Sequence, residues 1–555
     1  MVRATFSGFN TALSALQANQ KRLDITGQNL SNMNTAGYTR QQLEASSLNY
    51  TNPVSHYSNG NETAVGFGVS MNRVSQIRDP YLDIQYRSQS ADCSYTNRLQ
   101  TALNSLSKVL DETTISGIRK AFDNVLSTLT SMQDPAKVSD PIYESELRTK
   151  MQSVCNLFNQ ASRQISQAEQ NEFQRLTGEG SSEQGDVQKI NDILRQIGDL
   201  NVQIKRNQVA GHPSLELQDE RNLLLDELSG YIPVETRYYK DDAHSGNNAY
   251  DYDANGAVIG KKDWPDDLEV SMNYIDAQGK SQKLILVNGS DLGADGLTKN
   301  YGQLSVLNRD HKPAASVSDP ANISIRFEKA PSYQVNGQAA TDVYAELKGI
   351  HFEGGSLQAS LDMLQKKGTG NVINGSVDDV RGYQYYSEKL DQLADTFAKS
   401  MNASNNGNNH KDQNLLSNST DDSTNGITAG NIGISKGWTS GTIHISTDGT
   451  NRTDTILDMI AAMKDTKKLN GKTFADYMNN LSTQLASDSS SNQTALKTGT
   501  TVLNSIQDSR DSLSGVSLDE EATNMMAYVS AYNAASRLMT ALDEVLNTLI
   551  SNTGA

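Results

Sequence analysis

Proline is missing from both ends of this chain: the first is Pro53 and the last is Pro331. Proline removes a helical donor and its ring collides with the preceding turn, so both ends are free to form long, unbroken helices. In the first thirty residues apolar side chains recur in steps of three and four, at Phe6, Phe9, Leu13, Leu16, Leu23 and Leu30, with Gln20 and Gly27 in the two remaining places. That is the narrow seam of a coiled coil rather than a broad globular face. The C-terminus repeats the device through Leu518, Ala522, Met525, Val529, Tyr532, Ser536 and Met539, then Leu542, Leu546 and Leu549. Asp519, Glu520 and Glu521 stand where a helix N-terminus favours negative charge. Each end is therefore expected to be an amphipathic helix with one stripe in need of a partner. Spacing alone leaves open whether Leu13, Leu16, Val529 and Tyr532 meet within one subunit or across subunits.

A second helical layer lies inside these ends. Leu147, Met151, Val154, Phe158, Ala161, Ile165 and Ala168 form an unbroken series, and Val187, Ile190, Leu194, Ile197 and Ile204 resume it after the break from Gly178 to Gly185. The run DERNLLLDELS is expected to end at Gly230, with Pro233 beyond it. Tyr386, Leu390, Leu393 and Phe397, and later Ile456, Ile460 and Met463, carry the helical period on. Between them the pattern changes to short alternating runs, DLEVSMNYID, SQKLILVN and NISIRFE, separated by glycine- and asparagine-rich turns. The expected fold is α+β: long terminal coiled-coil helices (1–45 and 515–555), a helical body (46–235 and 356–514), and an inserted β-rich domain (236–355). Residues 402–450, strand-like at GTIHIS, are either a small β excursion or a disordered loop.

A chain of 555 residues exceeds one core and implies several domains. Its net charge of −17, with no Lys/Arg cluster, argues against a nucleic-acid partner. No apolar run approaches the ~20 residues needed to span a bilayer, so membrane insertion is not expected, and the N-terminus has neither the apolar region nor the cleavage site of a signal peptide. Cys93 and Cys155 hold no metal-ligand spacing, and whether they pair stays open. Enzyme motifs fail. Gly471-Lys472-Thr473 resembles a phosphate loop, but Thr466 stands where its first glycine belongs. The Asp251-x-Asp253-x-Asn255-Gly256 run imitates a calcium loop, but Lys262 occupies the place of its bidentate Glu; a hairpin turn accounts for it better. No catalytic, cofactor-binding or metal-binding residue is expected.

The segment Asn29-Leu-Ser-Asn32-Met-Asn34-Thr35-Ala-Gly37-Tyr38-Thr-Arg40 reads physically as a helix end and a turn: asparagine side chains mimic backbone turns and Gly37 is free to adopt positive φ. It also resembles the N-terminal signature of the flagellar axial proteins, the rod, hook and hook-associated subunits. The other end is similar to the same family, through Ser514-Gly515-Val516-Ser517-Leu518-Asp519-Glu520-Glu521 and the helix that follows, and Arg87 in PYLDIQYR sits in a family-like context. Three internal segments, LELQDERNLLLDELSGYIPVE, GGSLQASLDMLQKK and YYSEKLDQLADTFAKSMN, resemble the hook-associated branch; Lys366-Lys367 stands where that branch usually carries Arg-Asp. The resemblance implies a structural subunit at the junction of hook and filament, needed for filament assembly. It further implies self-assembly with sister copies, contact with the hook protein and the third hook-associated protein, escort by an export chaperone, and type III export without a cleaved signal. Another axial protein, a secreted coiled-coil adhesin, or an enzyme hidden in the β insertion are the alternatives.

Overall fold

The computed structural model describes residues 2–48, 68–110, 117–178, 182–240, 250–252, 258–261, 266–275, 280–289, 299–307, 323–328, 334–335, 338–339, 344–347, 351–373, 376–407, 412–447 and 451–553. Helix α1 (Val2–Asn32) leads into strands β1 (Gln41–Ser47) and β2 (Val69–Gln76). The helices α2 (Pro80–Leu110), α3 (Ile118–Ser131), α4 (Pro135–Val138), α5 (Pro141–Thr177), α6 (Asp186–Val209) and α7 (Leu215–Tyr231) follow. Then come β3 (Glu235–Lys240), β4 (Tyr250–Tyr252), β5 (Val258–Lys261), β6 (Asp266–Ile275), β7 (Ser281–Asn288), β8 (Gln303–Leu307), β9 (Ser324–Glu328), β10 (Gln334–Val335), β11 (Gln338–Ala339), β12 (Tyr344–Leu347) and β13 (His351–Phe352). The chain returns through α8 (Ser356–Gln365), β14 (Val372–Ile373), β15 (Ser376–Val377), α9 (Tyr383–Asn406), β16 (Leu416–Asn418), β17 (Ile432–Ile434), α10 (Lys436–Ser440) and α11 (Asp454–Lys464). It ends in α12 (Phe474–Ser514) and α13 (Leu518–Thr553).

Local chemistry sets these boundaries. Asp134 and Asp140 each cap a helix by accepting an amide proton, from Ala136 and Ile142, ahead of prolines fixed in the first turn. Gly178 closes α5 at φ +77, a left-handed cap that a side chain resists. Thr473 caps α12 on the Asp476 amide. The body core is aromatic at its centre: Phe122 lies 5.1 to 5.9 Å from the rings of Phe158, Phe397 and Phe474, all of them buried. The apolar series of α5, α6, α9 and α11 point into this core as their spacing requires, apart from the half-buried Ala168.

In the insertion, β6 is central, with β7 along one edge and β3 and β13 sharing the other, all antiparallel. A second antiparallel sheet runs β12-β9-β8. Asparagines fasten these sheets to α6. Asn191 donates to the Leu304 carbonyl and accepts from its amide, and Asn201 donates to the carbonyls of Leu268 and Gly289. Apolar residues of β6 to β9 join the same buried cluster as those of α6.

Three details differ from the sequence reading, and the open question of the cysteines is answered. Helix α7 runs one residue past Gly230, to Tyr231, and its C-cap Ile232 is extended ahead of Pro233. Residues 402–450 do hold a small β excursion, the antiparallel pair β16 and β17, but GTIHIS is not in it; Asn405 pins that segment by donating to the His444 carbonyl and accepting from the Ser446 amide. Strands β1 and β2 were not expected before residue 236; QQLEASS holds one branched apolar side chain and no β-branched residue, so the propensity signal is weak. Both cysteines are free and buried, so no bridge joins them. Burial pushes the Cys155 thiol up to about 12. Strands β4 and β5 pair antiparallel as the hairpin reading of Asp251 requires, while residues 253–257 and Lys262 lie outside the described residues.

Candidate functional site

The two end motifs meet at one elbow, where the turn between α1 and β1 converges with α2, α7, α12 and the start of α13 around a cleft of about 710 Å³. Asn29, buried in the last turns of α1, uses both ends of its amide. Its Nδ2 donates to the Gln41 carbonyl at 3.0 Å, and its Oδ1 accepts from the Gln41 amide at 3.0 Å and from the Tyr38 hydroxyl at 2.9 Å. One side chain thus imitates a strand partner for β1 and anchors the turn between. Within the turn, Asn32 accepts from the Thr35 amide and hydroxyl, Asn34 is exposed, and Gly37 reverses the chain at φ +78 beside Leu223. Arg40 closes the circuit to the other motif. Its guanidinium meets Glu521 at 2.9 Å and Glu520 at 2.8 Å, and its amide donates to the Ser514 carbonyl at 2.9 Å. Gly515 packs so tightly that a Cβ there would stand 2.4 Å from the Asp511 carbonyl oxygen. Asp519 is exposed in the first turn of α13.

Behind the motifs lies a chain of alternating charge. Arg78 pairs with Asp83, Asp83 with Arg510, Arg510 with Asp226, and Asp226 with Arg87. Arg510 also stacks on Tyr86, its guanidinium carbon 4.2 Å from the ring centre. Asp83 and Arg87 are buried and Arg78, Asp226 and Arg510 half-buried, and pairing with opposite charge is what makes this tolerable. Asp219 differs. It accepts the Thr39 amide at 3.1 Å through Oδ2, while its buried Oδ1 has no partner. Burial raises its carboxyl to about 6, against the opposing pull of Thr39 and Arg78. Burial, with the charges of Glu216, Asp219 and Glu521, also raises the Tyr38 hydroxyl.

Beyond the elbow α1 and α13 run antiparallel, fixed by Gly8 against Leu542 and by Arg22 over the Tyr528 ring. The buried side chains of α1 are Ala12, Ala18, Asn19, Ile25, Thr26 and Asn29, and those of α13 are Glu521 and Ala535. Apart from Ile25 these are small or polar, and Ala12, Asn19, Thr26 and Asn29 each stand one residue before a position of the apolar seam read in the sequence. Of that apolar seam, Phe9, Leu16, Leu23, Leu30, Met525, Met539, Leu542 and Leu546 are half-buried. Leu13 (46% exposed), Leu518 (53%), Val529 (43%) and Tyr532 (37%) face solvent. The side chain of Phe6 lies outside the described ones. Met526, Leu538, Val545 and Ile550 add to the uncovered apolar surface. The cause is geometric: two helices cover one stripe on each other, and close approach selects small residues.

Sequence reasoning missed Arg78, Asp83, Asp219, Asp226 and Arg510. Asp219, Asn222 and Asp226 form a polar row at i, i+3 and i+7 through the leucines of α7, a pattern that could have flagged a buried polar contact. Arg510, one cation between Asp508 and Asp511, carried no signal. Among the described residues, no three His, Cys, Asp or Glu side chains are placed to hold a metal ion, and none of the helices is long and apolar enough to cross a membrane. Gly471 turns at φ +83 ahead of the α12 cap.

Three family models match the chain. Residues 103–416 match the flagellar hook-associated protein FlgK helical domain, residues 9–39 the flagella basal body rod protein, and residues 509–552 the flagellar basal body rod FlgEFG protein C-terminal domain. The chain is 29% identical over 568 residues to flagellar hook-associated protein 1 of Bacillus subtilis, covering 99% of each. Against flagellar hook-associated protein 1 of Salmonella typhimurium the identity is 29% over 230 residues, 41% of this chain and 38% of that one. The solved flagellar hook junction protein FlgK from Burkholderia pseudomallei is matched at 17% identity and a TM-score of 0.37, over 61% of this chain and 45% of that one.

Proposed function

Because the chain belongs to the flagellar hook-associated protein FlgK family, and so is a structural component of the axial part of the bacterial flagellum, we propose that it forms the junction between hook and filament and is needed for filament growth. The observation that carries this reading is the apolar surface left uncovered on the terminal helix pair: Leu13, Leu518, Val529, Tyr532 and their neighbours need a partner that the subunit does not supply. Sister subunits are that partner, and Phe6, Phe9, Leu16, Leu23, Leu30, Met525, Met539, Leu542 and Leu546 extend the same interface as packing tightens. The elbow residues Asn29, Asn32, Asn34, Thr35, Gly37, Tyr38, Arg40, Gly515, Asp519, Glu520 and Glu521 set the joint between this interface and the body. Isolated amphipathic helices are marginal in water, so ordering of the two ends is coupled to assembly.

Terminal helices, body and β insertion divide the work between them. The ends assemble, the interlocked helices resist shear, and the insertion decorates the outside. The chain acts without catalysis. It leaves the cell through the flagellar type III export apparatus without a cleaved signal, escorted by a chaperone, and meets the hook protein on one side and the third hook-associated protein on the other. Deleting the gene tests the reading. Hooks without filaments, with flagellin shed into the medium, are expected; normal filaments would end it.

A further inference from the structure

We infer that Arg510 is the positioning residue that fixes the direction in which the paired terminal helices leave the body, a role that rests on the junction reading above. The buried residues of α12 are Phe474, Tyr477, Met478, Leu481 and Leu485, all in its first third. Farther along, its described contacts with α2 are small and polar. Gln100 donates to Ser489, Asn492 donates to Gln100 and to the Thr96 carbonyl, and Gly499 sits so close to Cys93 that a Cβ would stand 3.1 Å from the sulfur. Arg381 holds Asp488 through both carboxylate oxygens, at 2.7 and 2.8 Å, near the end of the buried part; beyond it, water replaces the neutral hydrogen bonds to α2 at little cost, so the stretch from 489 to 499 allows close approach without selecting an angle.

Selection comes at Arg510. A single nitrogen, Nη2, lies 2.7 Å from Oδ2 of Asp226 on α7 and 3.0 Å from Oδ1 of Asp83 on α2. The guanidinium plane meanwhile rests on Tyr86. A flat cation held by two carboxylates and a ring has its orientation fixed, and α12 is fixed with it. Four residues later the Ser514 carbonyl is held by Arg40, and α13 begins at Leu518. When Arg510 is removed, Asp83 still has Arg78 and Asp226 still has Arg87, so the body stays neutralised while the elbow loosens.

The full-length chain tests this, expressed in a strain lacking the native gene. In Arg510→Gln, amide exchange over residues 500–514 and 39–43 is expected to rise ~10-fold or more, since a charge-assisted contact is lost. Exchange over 474–485 stays unchanged, secretion into the medium stays at the wild-type level, and filaments per cell fall ~10-fold. Arg510→Lys returns the charge without the flat fork or the ring stacking, so it restores well under half of the filaments. Wild-type behaviour of Arg510→Gln overturns the inference, as does exchange accelerated equally over 474–485 and 500–514, or full restoration by Lys. If the wild-type gene itself does not restore filaments, the junction reading fails instead.

Discussion

Replacing Asn29 by alanine removes three hydrogen bonds at once: two with the backbone of Gln41 and one with the Tyr38 hydroxyl. Each net hydrogen bond contributes ~1 kcal/mol, and a buried group left unpaired costs ~1–3 kcal/mol. Asn29 and Gln41 are both buried, so little water reaches the orphaned groups, and the expected loss is ~3 kcal/mol of local opening free energy at β1. Tyr38→Phe removes only one of the three contacts and should cost ~1 kcal/mol. In the Asn29→Ala background the hydroxyl has already lost its acceptor, so Tyr38→Phe should then cost almost nothing, giving a coupling of ~1 kcal/mol. A chain of 555 residues is far beyond the size at which one-step unfolding is usual, so a global melting curve is the wrong readout. Native-state amide exchange at Gln41 to Leu43 reports the local opening directly. A change below ~0.5 kcal/mol for Asn29→Ala, or equal costs for Tyr38→Phe in both backgrounds, would refute the claim that this amide is what anchors the strand.

Other outcomes follow from the same structure. Asp219 has a folded pKa of about 6, above the ~3.9 of an unfolded aspartate, so between these values the folded state holds more protons. Its contribution to elbow stability is greatest below about pH 4, is lost as pH rises through about 6, and is level above. The size is at most ~3 kcal/mol, and Asp219→Asn should flatten this slope in exchange measured from pH 4 to 7; an unchanged slope would exonerate Asp219. Phe122→Ala, which strips the centre of the aromatic cluster, should lower the opening free energy of α3 and α9 by ~3–5 kcal/mol in native-state amide exchange. Val529→Asp lies on exposed helix surface, so the free subunit should change by no more than ~0.5 kcal/mol while capture onto isolated hooks is lost; undiminished capture would remove Val529 from the interface.

What was legible in the sequence was whatever repeats at a local period. The absent prolines, the 3-4 seams and the alternating runs placed the terminal helices, the body helices α5, α6, α9 and α11, and strands β6, β7 and β9, because helix and strand periodicity is written into neighbouring residues. The motif from Asn29 to Arg40 was visible as a turn, and Gly37 as its pivot, for the same local reason.

Tertiary structure alone decided which stripe of each terminal helix turns inward. Periodicity names the apolar face, but close antiparallel approach selected the small, polar row through Ala12, Asn19 and Ala535 and left Leu13 and Val529 outside. It also decided the partners of the charges: Arg40 finds Glu521 and Arg510 finds Asp83 and Asp226 across hundreds of residues. Such pairings have no spacing to read. A buried charge is satisfied by whatever the fold brings near, and that is settled when the helices pack.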